Sequence, residues 1–270
     1  MMEYHFYNLF HYGDTILNLK FLMNIVPILQ DFNIVIYYYY NQHYNKNKRE
    51  FEVYLQDTNT IQLRPIEDTP AHATHLWIGQ YPTIEGVPYS LFDTYYNLYY
   101  KNMLNMMKLD NLESNTSLYL EDPSIIERYY SLPDKYKNVD ILVLNTPPQS
   151  GQITYDKQTW DEMCYFLALK HKIVTAQHVH PDIECTMRDG LTMRDIGAIS
   201  THCTYIIGIH SGPMTACYTA YTKKSVKKWF VFCDKKRHEE IDAIDHCTIP
   251  QVYDYFALFK KAPLDCPCTF

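Results

Sequence analysis

Short apolar runs alternate with stretches of helical period along this chain, and the alternation is clearest in its second half. Asp140 to Leu144 is an apolar run that ends in a loop carrying Pro147 and Pro148, as expected of a strand buried on both faces. Trp160, Met163, Cys164, Phe166 and Leu167 recur at three- and four-residue spacing and predict a helix over about 157–170. Lys172 to Ala176 reads as the next strand. Thr192 to His202 reads as a helix, with Thr192 at its N-cap and Asp195 three residues on. A strand over Thr204–Ile209, a helix from Gly212 to Tyr221 and a strand over Lys228–Phe232 follow. Strands and helices alternating at this spacing imply a parallel sheet covered on both faces.

The first half opens in the same way. Glu3 to Leu9 is a strand, Tyr12-Gly13-Asp14 a turn, and Thr15 to Leu29 an apolar-faced helix that Pro27 should kink or end early. Asn33–Tyr37 is the second strand, and Glu52–Leu55, Ile61–Leu63 and His75–Ile78 are further ones. A long helix is expected over 89–108. A last helix, Val252 to Phe259, has a pattern that suits packing on the first domain or on its own sheet. The expected fold class is α/β, with two Rossmann-like halves.

Composition places the boundary between them. Nineteen of the 26 tyrosines precede residue 139 and all eight cysteines follow it, while Ser131 to Asn138 has the make-up of a linker. The expected domains are therefore 1–135 and 136–270, the second ending in a terminal helix able to pack back on domain one. The Tyr37–Tyr40 run and the Asn-rich 41–47 stretch read as compositional oddities with little chemistry. A net charge of −7 gives no electrostatic support to a nucleic-acid partner. The N-terminus lacks a secretory pattern, and no run approaches the roughly 18 apolar residues of a membrane span. A soluble, cytoplasmic protein is expected (host cytoplasm, were the source a virus). The cysteines, none in a CxxC pair, are expected to be free thiols.

Ligands of open α/β sheets bind beyond the carboxyl ends of the strands, so the strand-to-helix junctions carry the candidate chemistry. At Ile209-His210-Ser211-Gly212-Pro213-Met214-Thr215 a strand ends and a helix starts with proline, which suits the first helical position. Free N–H groups of Met214 and Thr215, at the positive end of the helix dipole, would suit a phosphate. Gly212 would let a ligand approach the backbone. The plainer reading is an ordinary strand–turn–helix. At Tyr12-Gly13-Asp14 the acid is either a helix cap or a general base facing a ligand held by the other half.

Taken together, Gly13-Asp14 before an apolar helix and Ser211-Gly212-Pro213-Met214 before an Ala-containing helix resemble the heptosyltransferase-like glycosyltransferases. Thr192 to Ile199 resembles the helix before the donor-site strand in that family. The resemblance implies a GT-B architecture, two Rossmann-like domains facing each other across a cleft. It implies Asp14 as the catalytic base on the acceptor side, and His210, Ser211, Gly212, Pro213, Met214 and Thr215 at the diphosphate of a nucleotide-sugar donor. It further implies inversion at the anomeric carbon without a metal or a cofactor beyond the co-substrate. Three departures stand out. His210 replaces the family's usual Asp, the loop from Asn145 to Asp156 lacks a phosphate-binding Lys, and the chain is shorter than typical members. Ser150, Gln152 or Lys157 is a candidate substitute for that Lys, and Glu184 a candidate ribose contact. Arg188 and Arg194 offer further phosphate charge. His11, Trp77 and Tyr81 are candidate contacts for a glycan or glycoconjugate acceptor.

Other constellations rank lower. His178, His180 and Cys185 match no standard zinc spacing. The cluster Lys223, Lys224, Lys227, Lys228, Lys235, Lys236 and Arg237 is a solvated face, or a site of weak attraction to an anionic membrane surface. The absence of a Gly-x-Gly-x-x-Gly after the first strand argues against a dehydrogenase, and the lack of a Walker loop argues against an ATPase. The alternative to an enzyme is a two-domain protein that binds a nucleotide or glycan without turning it over.

Overall fold

The computed structural model describes residues 1–43, 51, 55, 59–77, 100–109, 122–148, 153–209, 211–232 and 247–258. His210, Ser150, Gln152 and Tyr81 lie outside the described residues, as do most of 52–58, residues 89–99 and Lys235 to Arg237.

The first half holds a parallel sheet of β1 (Met2–Asn8), β2 (Ile34–Tyr40), β3 (Ile61–Pro65) and β4 (Thr74–His75), in the order β3-β2-β1-β4. The second holds β5 (Ile141–Leu144), β6 (Ile173–Thr175), β7 (Glu184–Cys185), β8 (Tyr205–Ile209) and β9 (Lys228–Phe232), again all parallel, in the order β7-β6-β5-β8-β9. Each sheet is wound outwards in both directions from its first strand, the order of a Rossmann-like half. The fold is α/β with two parallel sheets covered by helices.

The tyrosine run proves structural. Tyr38, Tyr39 and Tyr40 finish β2 and are buried, and the Tyr38 hydroxyl accepts a hydrogen bond from Asn18 Nδ2 at 3.0 Å. Four consecutive apolar residues in β5 are buried, Leu142 and Leu144 on one face and Ile141 and Val143 on the other. This double burial is why its sequence is continuous rather than alternating.

Helix α1 (Tyr12–Asn24) stops where the proline was expected to stop it. The chain turns at Ile25 and restarts as α2 (Val26–Asp31), with Pro27 in the first turn, where its missing N–H costs nothing. Residues 100–106 are helical within the expected 89–108 segment. Helix α3 (Pro123–Ser131), capped by Asp122, belongs to the first half in sequence but packs against α5 (Met193–Ser200) of the second. The linker expected over 131–138 therefore begins inside a helix. In the second half α4 (Lys157–Ala168) links β5 to β6. The helix expected from Gly212 to Tyr221 is two helices, α6 (Gly212–Ala216) and α7 (Ala220–Ser225), because Thr219 turns its hydroxyl to the N–H of Thr222 and caps a new start. The last helix, α8 (Ile249–Leu258), packs on α4, and its Val252 and Phe256 join Ile141, Val143 and Phe230 in one core. Over these residues it covers the second sheet rather than folding back on the first domain.

A second core runs through both halves. It joins Ile16, Leu19 and Leu22 of α1 to Ile125 of α3, Ile196 and Ile199 of α5, Met214 of α6 and the Leu142–Leu144 face of β5. Helices α1 and α6 pack directly against each other. That contact positions the site.

Candidate functional site

Both candidate loops follow the carboxyl end of a central strand, β1 in one half and β8 in the other, and both open a helix. Their glycines meet. A β-carbon on Gly13 would lie 3.3 Å from Gly212 Cα, and one on Gly212 would lie 3.4 Å from Tyr12 Cβ. A side chain at either position would push the first turns of α1 and α6 apart by a few tenths of an ångström. The contact sets Asp14, next to Gly13, beside the turn at Ser211 and Gly212.

Asp14 is half-buried at the third position of α1. Donor groups near its carboxylate are the backbone N–H groups of His11 and of Asp14 itself and the side chain of Trp77. Burial raises its pKa above the ordinary aspartate value, against the opposing pull of His11 and those three donors. The acid is thus a carboxylate of raised basicity in the first turn of α1, where its charge offsets the helix dipole. His11 occupies the N-cap position and has no side-chain cap bond. Trp77, an expected acceptor contact, packs on Phe10 with ring centres 4.2 Å apart.

At the other loop the phosphate expectation needs correction. The N–H groups of Met214 and Thr215 are not free: both donate to Ser211 O, at 3.0 and 3.2 Å. Met214 is fully buried beneath Gly208, Pro213 is buried, and Thr215 donates its hydroxyl to Gly212 O at 2.6 Å. A helix of five residues closes its first turn at once and spends these donors on itself. What remains is the Gly212 N–H and the Ser211 hydroxyl, whose oxygen is buried with no hydrogen-bond partner among the described residues.

The other expected donor contacts are engaged elsewhere. Lys157 pairs with Asp161 one turn along α4. Glu184 sits on the edge strand β7 and pairs with Lys135 at 3.2 Å and Arg188 at 3.0 Å, tying the linker to the sheet. Arg194 pairs with Asp122 and also reaches Ser124. Among the described residues no group of three or more His, Cys, Asp or Glu side chains is placed to hold a metal ion. No helix among them is long and apolar enough to cross a membrane.

Two asparagines were missed in the sequence. Asn8, fully buried at the end of β1, donates to Leu76 O at 2.7 Å and accepts from the N–H of Phe10 at 2.7 Å. Asn18, four residues beyond Asp14, donates to the same Leu76 carbonyl at 2.9 Å. The available signal was an amide on an otherwise apolar helix face, next to a candidate acid.

No protein-family model matches the chain, and no curated protein does. Among solved structures it is similar to a glycosyl transferase of family 9 from Veillonella parvula (13% identity, 98% of this chain and 90% of that one, TM-score 0.44). It is also similar to the E. coli heptosyltransferase WaaC with ADP (8%, 96% and 98%, 0.47) and to E. coli ADP-heptose LPS heptosyltransferase II (10%, 97% and 100%, 0.46). Likeness of this degree adds nothing finer, so the functional reading rests on the chain's own geometry.

Proposed function

We propose that this chain is a glycosyltransferase that moves a sugar from a nucleotide-sugar to a hydroxyl acceptor, with Asp14 as general base. The observation that carries the reading is the contact of Gly13 with Gly212, which joins the helix start that holds Asp14, a carboxyl of raised pKa, to the turn that holds Ser211, whose hydroxyl oxygen is buried with no hydrogen-bond partner among the described residues. In this reaction the acceptor oxygen attacks the anomeric carbon as its proton passes to Asp14. The bond from that carbon to the diphosphate breaks on the opposite face, giving inversion. The Ser211 hydroxyl, the Gly212 N–H and the first turn of α1 stabilise the departing diphosphate without a metal. A glycan or glycoconjugate is the acceptor class. The place of Asp14 in the first turn of α1 favours one other reading, in which the acid is structural and the protein binds a nucleotide or glycan without turnover.

Thermal unfolding against nucleoside diphosphates and nucleotide-sugars, with EDTA present, tests the donor site. A ligand at a hundred times its Kd adds about 2.7 kcal/mol. A selective rise supports a metal-independent site, and a folded protein unmoved by the whole panel rules the site out. Asp14→Asn then separates the readings: transfer is lost with binding kept if Asp14 is the base, and no variant shows transfer if the protein only binds.

A further inference from the structure

We propose that the two halves are one rigid, cooperatively folded body, which holds the start of α1 and the Ser211 turn at a fixed separation before any substrate binds. Domains joined by a modest polar contact move against each other by default, and a large apolar contact removes that freedom. Helix α1 decides between the two cases. A helix that covers one sheet buries a single stripe and leaves its other side to solvent. In α1 every residue from Thr15 to Leu19 is buried, and so are Phe21 and Leu22. The helix is therefore enclosed on more than one side. Its Asn18 reaches Tyr38 of the first sheet, while its neighbour across the boundary is α6 of the second half. Helices α6 and α5 are enclosed as fully, with Pro213–Ala216 and Asp195–Ser200 buried without a break. Ile36 and Tyr38 of the first sheet thus share one continuous core with Leu142, Val174 and Ile206 of the second.

Drawing α1 away from α6 would open that core in its middle. It would also break the bonds from Lys20 of α1 to two backbone carbonyls of the second half. The glycines make the fit close: Gly13 meets Gly212 across the boundary, and a methyl on Gly197 of α5 would come within 2.7 Å of Ala216 O in α6. Packing of this density transmits a displacement rather than absorbing it. From Asp122 onward the connecting segment is fastened to the second half. Arg194 pairs with Asp122 at 2.9 Å and Arg128 with Asp195, which joins α3 to α5. Tyr136 is fully buried with its hydroxyl 2.7 Å from Asp189 Oδ2, and Lys172 Nζ donates to Lys137 O at 2.6 Å. In such a body a substrate meets the acid and the donor turn already in register, and binding does not have to draw two domains together. That consequence rests on the glycosyltransferase reading, whereas the rigid body itself does not.

Urea unfolding of the full chain, followed by NMR, tests the body. The chain has three tryptophans, Trp77 in the first half and Trp160 and Trp229 in the second, so each half reports through its own indole N–H signals. All three native signals are expected to fade at one urea midpoint. Val252→Ala supplies the stricter arm, because Val252 lies in the core that belongs to the second half alone. This change is expected to lower the Trp77 midpoint by as much as those of Trp160 and Trp229. A Trp77 signal lost at its own urea concentration overturns the proposal, and so does one that keeps its wild-type midpoint while the other two fall. The wild-type curves decide the matter if Val252→Ala does not fold. Small-angle X-ray scattering tests the consequence, with whichever nucleoside diphosphate or nucleotide-sugar raises the melting temperature as the probe. At saturation the radius of gyration is expected to equal that of the free protein, and a contraction on binding overturns the preset arrangement. Coincident unfolding in a protein that binds no nucleotide would remove the glycosyltransferase reading and leave the rigid body standing.

Discussion

Lys20, on α1 of the first half, donates from Nζ to the carbonyl oxygen of Tyr218 in the second half at 2.6 Å, and to Thr215 O at 3.3 Å. These carbonyls lie at the end of the short helix whose start carries Ser211 and Gly212, so the ammonium meets the negative end of its dipole. The α1–α6 contact thus has glycine against glycine at one end and a lysine clamp at the other.

Burial lowers the Lys20 pKa to about 8, although the nearby Cys217 and Asp122 act to raise it. The unfolded chain therefore holds this proton more tightly than the folded one. Between pH 8 and the ordinary lysine value of about 10.5, Lys20 makes stability rise with pH, and the contribution is lost as pH falls through 8. The measurement is urea unfolding of wild type and Lys20→Met at several values across that window. Other cysteines and tyrosines titrate there too, so the difference between the two proteins is the readout. It should turn in favour of wild type as pH rises, and a constant difference would remove Lys20 as the cause.

Glycine-to-alanine changes at the helix contacts should rank by what the new methyl meets. At Gly197 in α5 it would lie 2.7 Å from Ala216 O, a backbone atom that cannot step aside. Overpacking of this kind costs about 1–3 kcal/mol, more than the roughly 1 kcal/mol alanine gains in a helix interior. At Gly13 the approach is 3.3 Å, a smaller loss of stability but one felt directly at the site. Gly190 has open space yet a φ of 66°, so only backbone strain opposes the methyl. Denaturant midpoints of the three variants check the order, with Gly197→Ala lowest.

Asp195 anchors the start of α5 and the packing of α3 upon it. It accepts from the N–H and hydroxyl of Thr192, both at 2.8 Å, and from Arg128 of α3. The carboxylate is buried whereas the Arg128 side chain is 46% exposed. Arg128→Gln strands a buried charge, while Thr192→Ala removes one cap of about 1 kcal/mol. Arg128→Gln should therefore cost more. Because both changes act through Asp195, the double variant should depart from the sum of the singles in a denaturation cycle.

The second half was readable because each of its signals was local. Thr192 and Asp195 three apart gave the start of α5, and the unbroken run Ile141–Leu144 gave a strand buried on both faces. Pro27 likewise marked the end of α1. The errors share a different cause. Thr219 reads as an ordinary helical residue until its hydroxyl turns to Thr222, and α3 is polar on one side because its apolar side, Ile125 and Tyr129, serves a distant partner. At the site, Asp14 and Gly212 stood out through their residue types at strand ends. The meeting of Gly13 with Gly212 is a contact between residues almost two hundred positions apart, which no local period encodes. Asn8 and Asn18, likewise, meet through a shared acceptor, the Leu76 carbonyl, which leaves no mark in the sequence.

Asp14 itself supplies the last prediction. Its pKa is raised in the fold, burial being the largest cause. Such a carboxyl contributes stability that is fully present below the ordinary aspartate value of about 4 and is lost as pH rises through the folded value, because the unfolded chain gives up the proton more readily. Asn in its place is neutral at every pH and of nearly the same size. Asp14→Asn should then match or fall slightly below wild type at the acid end and gain on it as pH rises to neutrality, where the ionised carboxylate is held in partial burial. Thermal melts of the two proteins from pH 4 to pH 8 give the comparison. A variant that gains stability while losing sugar transfer would mark Asp14 as a group kept for chemistry at the expense of the fold. One that loses stability across the whole range would mark it as a cap alone.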